Sequence, residues 1–148
     1  MIKVLKNLGL LISNFIICIG AGHGFGPVIL IELFSLNTIL FEGEIAFNGG
    51  HLPPFSFYNS YEDMLIYFLL LSFLGQFIFI ISQFNFINSK FQKYFKFLGI
   101  LLMVFGFFLI TKNLFNDELA LFSFVTGVPF LYFVFLEVVS LLKFKILK

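Results

Sequence analysis

The most unusual stretch of the chain is Gly20-Ala21-Gly22-His23-Gly24-Phe25-Gly26-Pro27. Glycine at alternate positions strips side chains from the backbone, and each glycine weakens a helix by roughly 1 kcal/mol relative to alanine. Pro27 suits the first turn of a new helix, where its missing N–H is not needed. The pattern therefore predicts a helix that breaks over 20–27 and restarts over 27–41. It is not a dinucleotide fingerprint, because the glycine spacing is wrong and no strand of a soluble sheet precedes it. Unwound backbone in an apolar setting must be buried in protein or line a watery cavity, which makes this segment, with Gly20, Gly22, Gly24, Gly26 and Pro27 as its backbone or hinge positions, a candidate site.

His23 lies in the middle of that stretch and His51 further along. Imidazoles are haem and metal ligands, so the pair, assisted by Glu32, Glu42 or Glu44, is a candidate haem or metal site. No conventional ligand spacing connects the two histidines, and the plainer expectation is an interfacial histidine among glycines that allow close helix contact. No cofactor is favoured. Glu32 and Glu137 are the two carboxylates carried on apolar helices. Ionisable groups at membrane depth are by default candidate proton carriers or cation ligands, and Asn14 and Gln76 would accompany them. The competing expectation for Glu137 is snorkelling, or pairing with a basic residue of a partner chain. No GxSxG, HExxH, phosphate-binding loop or kinase signature is present, so no catalytic residue is assigned and enzymatic activity is not expected. The single Cys18 leaves no internal disulfide, CxxC pair or thiolate zinc site.

The elements that must position these residues follow from composition. Of 148 residues 60% are hydrophobic and only 11% charged, with a mean hydropathy of +1.06. Soluble domains run about 45–50% apolar and about 25% charged, and a small one leaves too much surface exposed to hide this much apolar side chain. Disorder needs the opposite composition. A single all-α transmembrane domain over 1–148 is expected. The net charge of +1 and the absence of a basic tract exclude nucleic acid as a partner. Twenty-six phenylalanines, with abundant Ile, Asn and Lys, match the codon bias of an AT-rich bacterial genome.

Crossing roughly 30 Å of hydrocarbon takes about 20 apolar residues. Four stretches qualify, at about 4–31 (broken near Gly20–Pro27), 64–82, 97–111 and 119–142. The third is short, with Lys96 and Lys112 at its ends able to snorkel to the headgroups. Eight of the nine lysines fall before the first stretch, between the second and third, or after the fourth, and only Lys112 falls on the other side. That bias predicts two cytoplasmic termini and a multi-pass protein of a bacterial inner membrane. Lys3 and Lys6 ahead of an apolar run ending in Gly20-Ala21-Gly22 also outline a signal peptide, but the expectation is that the segment is retained as a span. The loop at about 41–61 contains Pro53-Pro54, which forbids a helix there, and Phe55, Phe57, Tyr58 and Tyr61 suit an interfacial belt.

Helices in lipid associate through small residues and polar contacts. Gly9, Ser13, Asn14 and Cys18 in the first stretch, Ser72, Gly75, Gln76 and Gln83 in the second, Gly99 and Gly106 in the third, and Ser123 and Gly127 in the fourth supply them. A four-helix bundle with Asn14 and Gln76 as interior glue is predicted, with a bend or hinge at Pro129. The leading expectation for function is a non-enzymatic accessory or interaction subunit of a larger membrane assembly, partnered by the bilayer and by other subunits or its own copies. A proton- or ion-conducting subunit is the first alternative, and a haem- or metal-binding redox subunit the second.

Overall fold

A computed structural model of the chain describes residues 2–21, 24–41, 54–84 and 88–146. They form five helices and one hairpin: α1 (Ile2–Ile16), β1 (Cys18–Ala21), β2 (Gly24–Pro27), α2 (Val28–Phe41), α3 (Tyr61–Ile81), α4 (Ser89–Thr111) and α5 (Glu118–Ile146). Three of them, α3, α4 and α5, are long and apolar enough to cross a membrane, while α1 contributes a shorter apolar stretch, Leu5–Ile16.

Local chemistry starts each long helix where the chain offers a cap. Ser60 accepts the backbone N–H of Asp63 and donates its own hydroxyl to the Asp63 carboxylate, with Glu62 and Asp63 in the favourable first turn of α3. Asn88 accepts from Lys90 N–H ahead of α4. Asp117 accepts from Leu119 and Ala120 N–H ahead of α5. Because Asn88 caps it, α4 begins at Ser89, well before the apolar run that starts near residue 97, and Lys96 stands two turns inside the helix rather than at its end. The expectation that Lys96 snorkels is therefore corrected: its exposure is 8%. The other bracket, Lys112, turns onto the loop and donates to the carbonyls of Phe57 at 2.6 Å and Asn59 at 2.9 Å.

The helices alternate in direction. Tyr61 at the start of α3 meets Gly20, and Gln83 just beyond its end meets Asn7, so α3 runs antiparallel to α1. Gly75 of α3 abuts Gly99 of α4, and Lys96 of α4 pairs with Glu137 of α5 while Phe107 packs beside Gly127. The α3–α4 approach is backbone on backbone. A Cβ at Gly75 would stand 2.8 Å from the Gly99 carbonyl oxygen, and one at Gly99 2.7 Å from that of Gly75. Small residues let backbones come this close where lipid supplies no hydrophobic drive. Leu10, Met64, Phe68, Phe79, Met103 and Phe130 fill the core between the helices and are fully buried.

The first stretch departs from a simple broken helix. α1 ends at Ile16, and the chain reverses through an antiparallel hairpin in which Cys18 faces Pro27 and Ala21 faces Gly24. Pro27 closes β2 instead of opening a helix, and α2 starts at Val28, whose N–H donates to the Ile17 carbonyl at 2.9 Å. So the chain after Pro27 does not continue α1: Val28–Phe41 forms a separate helix that turns back alongside α1 and α3. Glycine at alternate positions favours the extended reversal, because a helix would lose more at each glycine than a strand edge that finds partners. α5 continues as one helix through Pro129.

Candidate functional site

Polar side chains collect at three levels inside the bundle. At the middle level Ser72 Oγ donates to Asn14 Oδ1 at 2.8 Å, and Gln76 Nε2 donates to the same oxygen at 2.7 Å and to Glu32 Oε1 at 3.1 Å. Asn14 and Ser72 have no exposure, and Glu32 has 6%. The fold-back of α2 is what carries Glu32 to Gln76, since a continuous helix would have taken it away from α3. Asn14 Nδ2 is buried without a hydrogen-bond partner among the described residues, and an unmade bond of that kind costs about 1–3 kcal/mol. Beside this cluster a cavity of about 220 Å³ lies between α1, α2 and α3, with Glu32 and Gln76 among walls of Phe15, Leu33, Phe73 and Phe77.

The second level lies seven residues further along α3, or roughly 10 Å. Lys96 Nζ is 2.5 Å from Glu137 Oε2, donates to Asn7 Oδ1 at 2.7 Å and stands 5.6 Å from the Phe79 ring centre. Asn7 Nδ2 in turn donates to Gln83 Oε1. Glu137 is 1% exposed. Two charges taken out of water are tolerable only as a pair with further hydrogen bonds, which Asn7 supplies.

The third level holds the hairpin. β1 has a free edge on the side away from β2, and unpaired peptide groups in an apolar interior cost several kcal/mol each. Cys18 N–H donates to Thr126 Oγ1 at 3.0 Å, and Gly20 N–H donates to Tyr61 Oη at 3.3 Å. Tyr61 Oη is 2.7 Å from Ser123 Oγ. Side chains of α3 and α5 thus complete the strand edge. Tyr61, expected in an interfacial belt, is buried for that reason, while Phe55, Phe57 and Tyr58 are exposed.

Of the residues singled out from sequence, Asn14, Gln76 and Glu32 come together. Glu137 lies apart from them, bound to Lys96 of the same chain rather than to a partner chain. Gly20, Gly24, Gly26 and Pro27 lie in the hairpin, and Pro129 within α5. Gly22, His23, His51, Glu42 and Glu44 lie outside the described residues. Among the described residues no three His, Cys, Asp or Glu side chains gather into a metal site. Sequence reading missed Asn7, Lys96, Tyr61 and Ser123 as members of these clusters. For Lys96 a signal existed: it and Glu137 stand at similar depth from the lysine-rich end, and two opposite charges at one depth of a bundle are natural partners.

The middle level offers a carboxylate, an amide oxygen and a hydroxyl within one buried cluster, a donor set suited to a proton or a hard cation. The third level is a structural repair of a strand edge, and the second a compensated ion pair. Comparison with known proteins finds no matching family model, no matching curated protein and no matching solved structure.

Proposed function

We propose that this chain is a four-span protein of a bacterial cytoplasmic membrane, with both termini inside, and a non-enzymatic accessory subunit that packs against other membrane proteins or its own copies. The observation that carries this reading is where the polar groups go. Lys96 with Glu137, Ser72 and Gln76 with Asn14, and Tyr61 with Ser123 are engaged with one another across helices. The outward faces present apolar stripes such as Leu121, Val125, Val128, Tyr132 and Phe135 on α5, surfaces suited to lipid or to another helix.

A fourth crossing is supported by length. The 15 residues of α1 rise roughly 22 Å and the four of β1 add roughly 13 Å, together enough for about 30 Å of hydrocarbon. The eight lysines at one end support the orientation. The test is purification of the tagged full chain in mild detergent, with its mass measured in the native state. Stoichiometric partner proteins or a defined oligomer are expected. A monodisperse single copy, recovered repeatedly, overturns the reading.

One observation favours a second reading, a proton- or ion-conducting subunit. The Asn14–Gln76–Glu32 cluster holds a buried carboxylate and an amide nitrogen, Asn14 Nδ2, that has no hydrogen-bond partner among the described residues, beside a cavity. Conduction through it requires that Glu32→Gln abolish flux in proteoliposomes while the purified variant stays folded. Flux equal to that of the unaltered protein removes Glu32 from any such path.

A further inference from the structure

We infer that the cleft between α1, α2 and α3 is a binding site for a small lipophilic amine, held as an ammonium against Glu32. The cleft has a volume of about 220 Å³, and Glu32 and Gln76 are the polar side chains in its otherwise apolar walls. Leu33 on α2 and Phe73, Phe77 and Ile80 on α3 line it and are exposed on the outer face of the bundle. In a bilayer the opening therefore gives onto lipid rather than water. Apolar walls around a few polar groups are the usual build of a small-molecule site. An apolar cavity of about 150 Å³ holds one benzene molecule, so this cleft takes an aromatic ring with a short arm.

The chemistry of that arm follows from a contrast between two buried carboxylates. Glu137 meets a lysine of its own chain at 2.5 Å. Glu32, 6% exposed, accepts a hydrogen bond from Gln76 on Oε1 at 3.1 Å and forms no ion pair among the described residues. A carboxylate taken out of water calls for a cation. An amine enters hydrocarbon as its free base, and against Glu32 it makes the same ammonium–carboxylate pair whichever partner brings the proton. The rings of Phe73 and Phe77 in the walls add faces that attract a cation. Depth distinguishes this ligand from a lipid headgroup. Gln76 stands roughly 22 Å along α3 from Tyr61 and roughly 10 Å before the level of Gln83. An ammonium tethered at the interface does not reach that depth, whereas a small amine dissolved in the bilayer does. The inference rests on the membrane placement proposed above and shares Glu32 with the conduction reading, but it requires no flux.

The experiment dialyses the purified full chain, in an uncharged detergent, to equilibrium against radiolabelled phenethylamine. Phenethyl alcohol, with the same ring and arm but no charge, is measured alongside. Saturable binding of the amine at a single site per chain is expected, with the alcohol about tenfold weaker. Glu32→Gln should weaken amine binding about tenfold, to the level of the alcohol. Leu33→Trp fills the cleft while keeping the carboxylate and should abolish binding. Leu30→Trp, at a position also exposed on α2 but outside the cleft, should leave binding within about twofold. Where elution volume shows Glu32→Gln to be misfolded, the two tryptophan variants and the amine–alcohol comparison decide. Uptake that does not saturate, an alcohol bound as tightly as the amine, or equal losses in Leu33→Trp and Leu30→Trp would overturn the site. Binding is read without an ion gradient and flux with one, so binding and conduction can fail separately. Retention of the chain in carbonate-washed membranes tests the membrane placement by itself.

Discussion

The Lys96–Glu137 pair makes a demanding prediction, because its two halves are not equally supported. Lys96→Met leaves a carboxylate that is 1% exposed without its cation. Breaking a buried pair from one side typically costs about 3–5 kcal/mol. Glu137→Gln is milder. The Lys96 ammonium keeps Asn7 Oδ1 at 2.7 Å and the Phe79 ring at 5.6 Å, and the new amide oxygen can still accept, so a loss of about 1–3 kcal/mol is expected. Lys96→Met with Glu137→Gln removes both charges at nearly constant volume and should return to within about 1 kcal/mol of the unaltered protein. The cycle then closes with a coupling of roughly 3 kcal/mol or more. The assay is unfolding of the purified protein in mixed micelles by titration with SDS, followed by far-ultraviolet circular dichroism. Additive losses, with the double variant the least stable of the three, would refute a compensated buried pair and place Glu137 in a watery environment.

Two further outcomes follow from the packing. Gly99→Ala puts a methyl group 2.7 Å from the Gly75 carbonyl oxygen and 2.9 Å from Phe79 N. Overpacking of about 1–3 kcal/mol exceeds the roughly 1 kcal/mol gained in helix propensity, so the SDS midpoint should fall by the equivalent of about 1–2 kcal/mol; an unchanged midpoint would mean that α3 and α4 are not in backbone contact. Tyr61→Phe deletes the hydroxyl that receives Gly20 N–H and should cost about 1–3 kcal/mol. Ser123→Ala should cost less, since Tyr61 still accepts from Gly20, and a reversed order in the same titration would contradict the strand-edge role.

The long apolar helices were legible in the sequence. Runs expected at 64–82 and 119–142 correspond to α3 at Tyr61–Ile81 and α5 at Glu118–Ile146, because a backbone surrounded by apolar side chains has no partner but itself and an uninterrupted run leaves only the helix. The start of α4 was not legible from hydropathy, since Lys90, Lys93 and Lys96 interrupt the apolar run while a cap at Asn88 still supports helix. The glycine-rich break was visible as a break, but glycine and proline specify only what a segment cannot easily be. That it reverses as a hairpin depends on Thr126 and Tyr61 being in reach of Cys18 and Gly20, partners more than forty residues away in the chain.

The same division holds for the candidate sites. Composition and lysine placement, summed over many residues, already determined that the chain belongs among apolar helices and that Asn14, Gln76, Glu32 and Glu137 are costly to bury alone. Which of them meet was decided by the tertiary structure. The fold-back at β1–β2 sets Glu32 against Gln76, and the antiparallel order of α4 and α5 sets Lys96 against Glu137. A burial cost is a property of each residue and can be read from its type and surroundings. A partner is a property of helix order, depth and rotation, which periodicity along one chain does not contain.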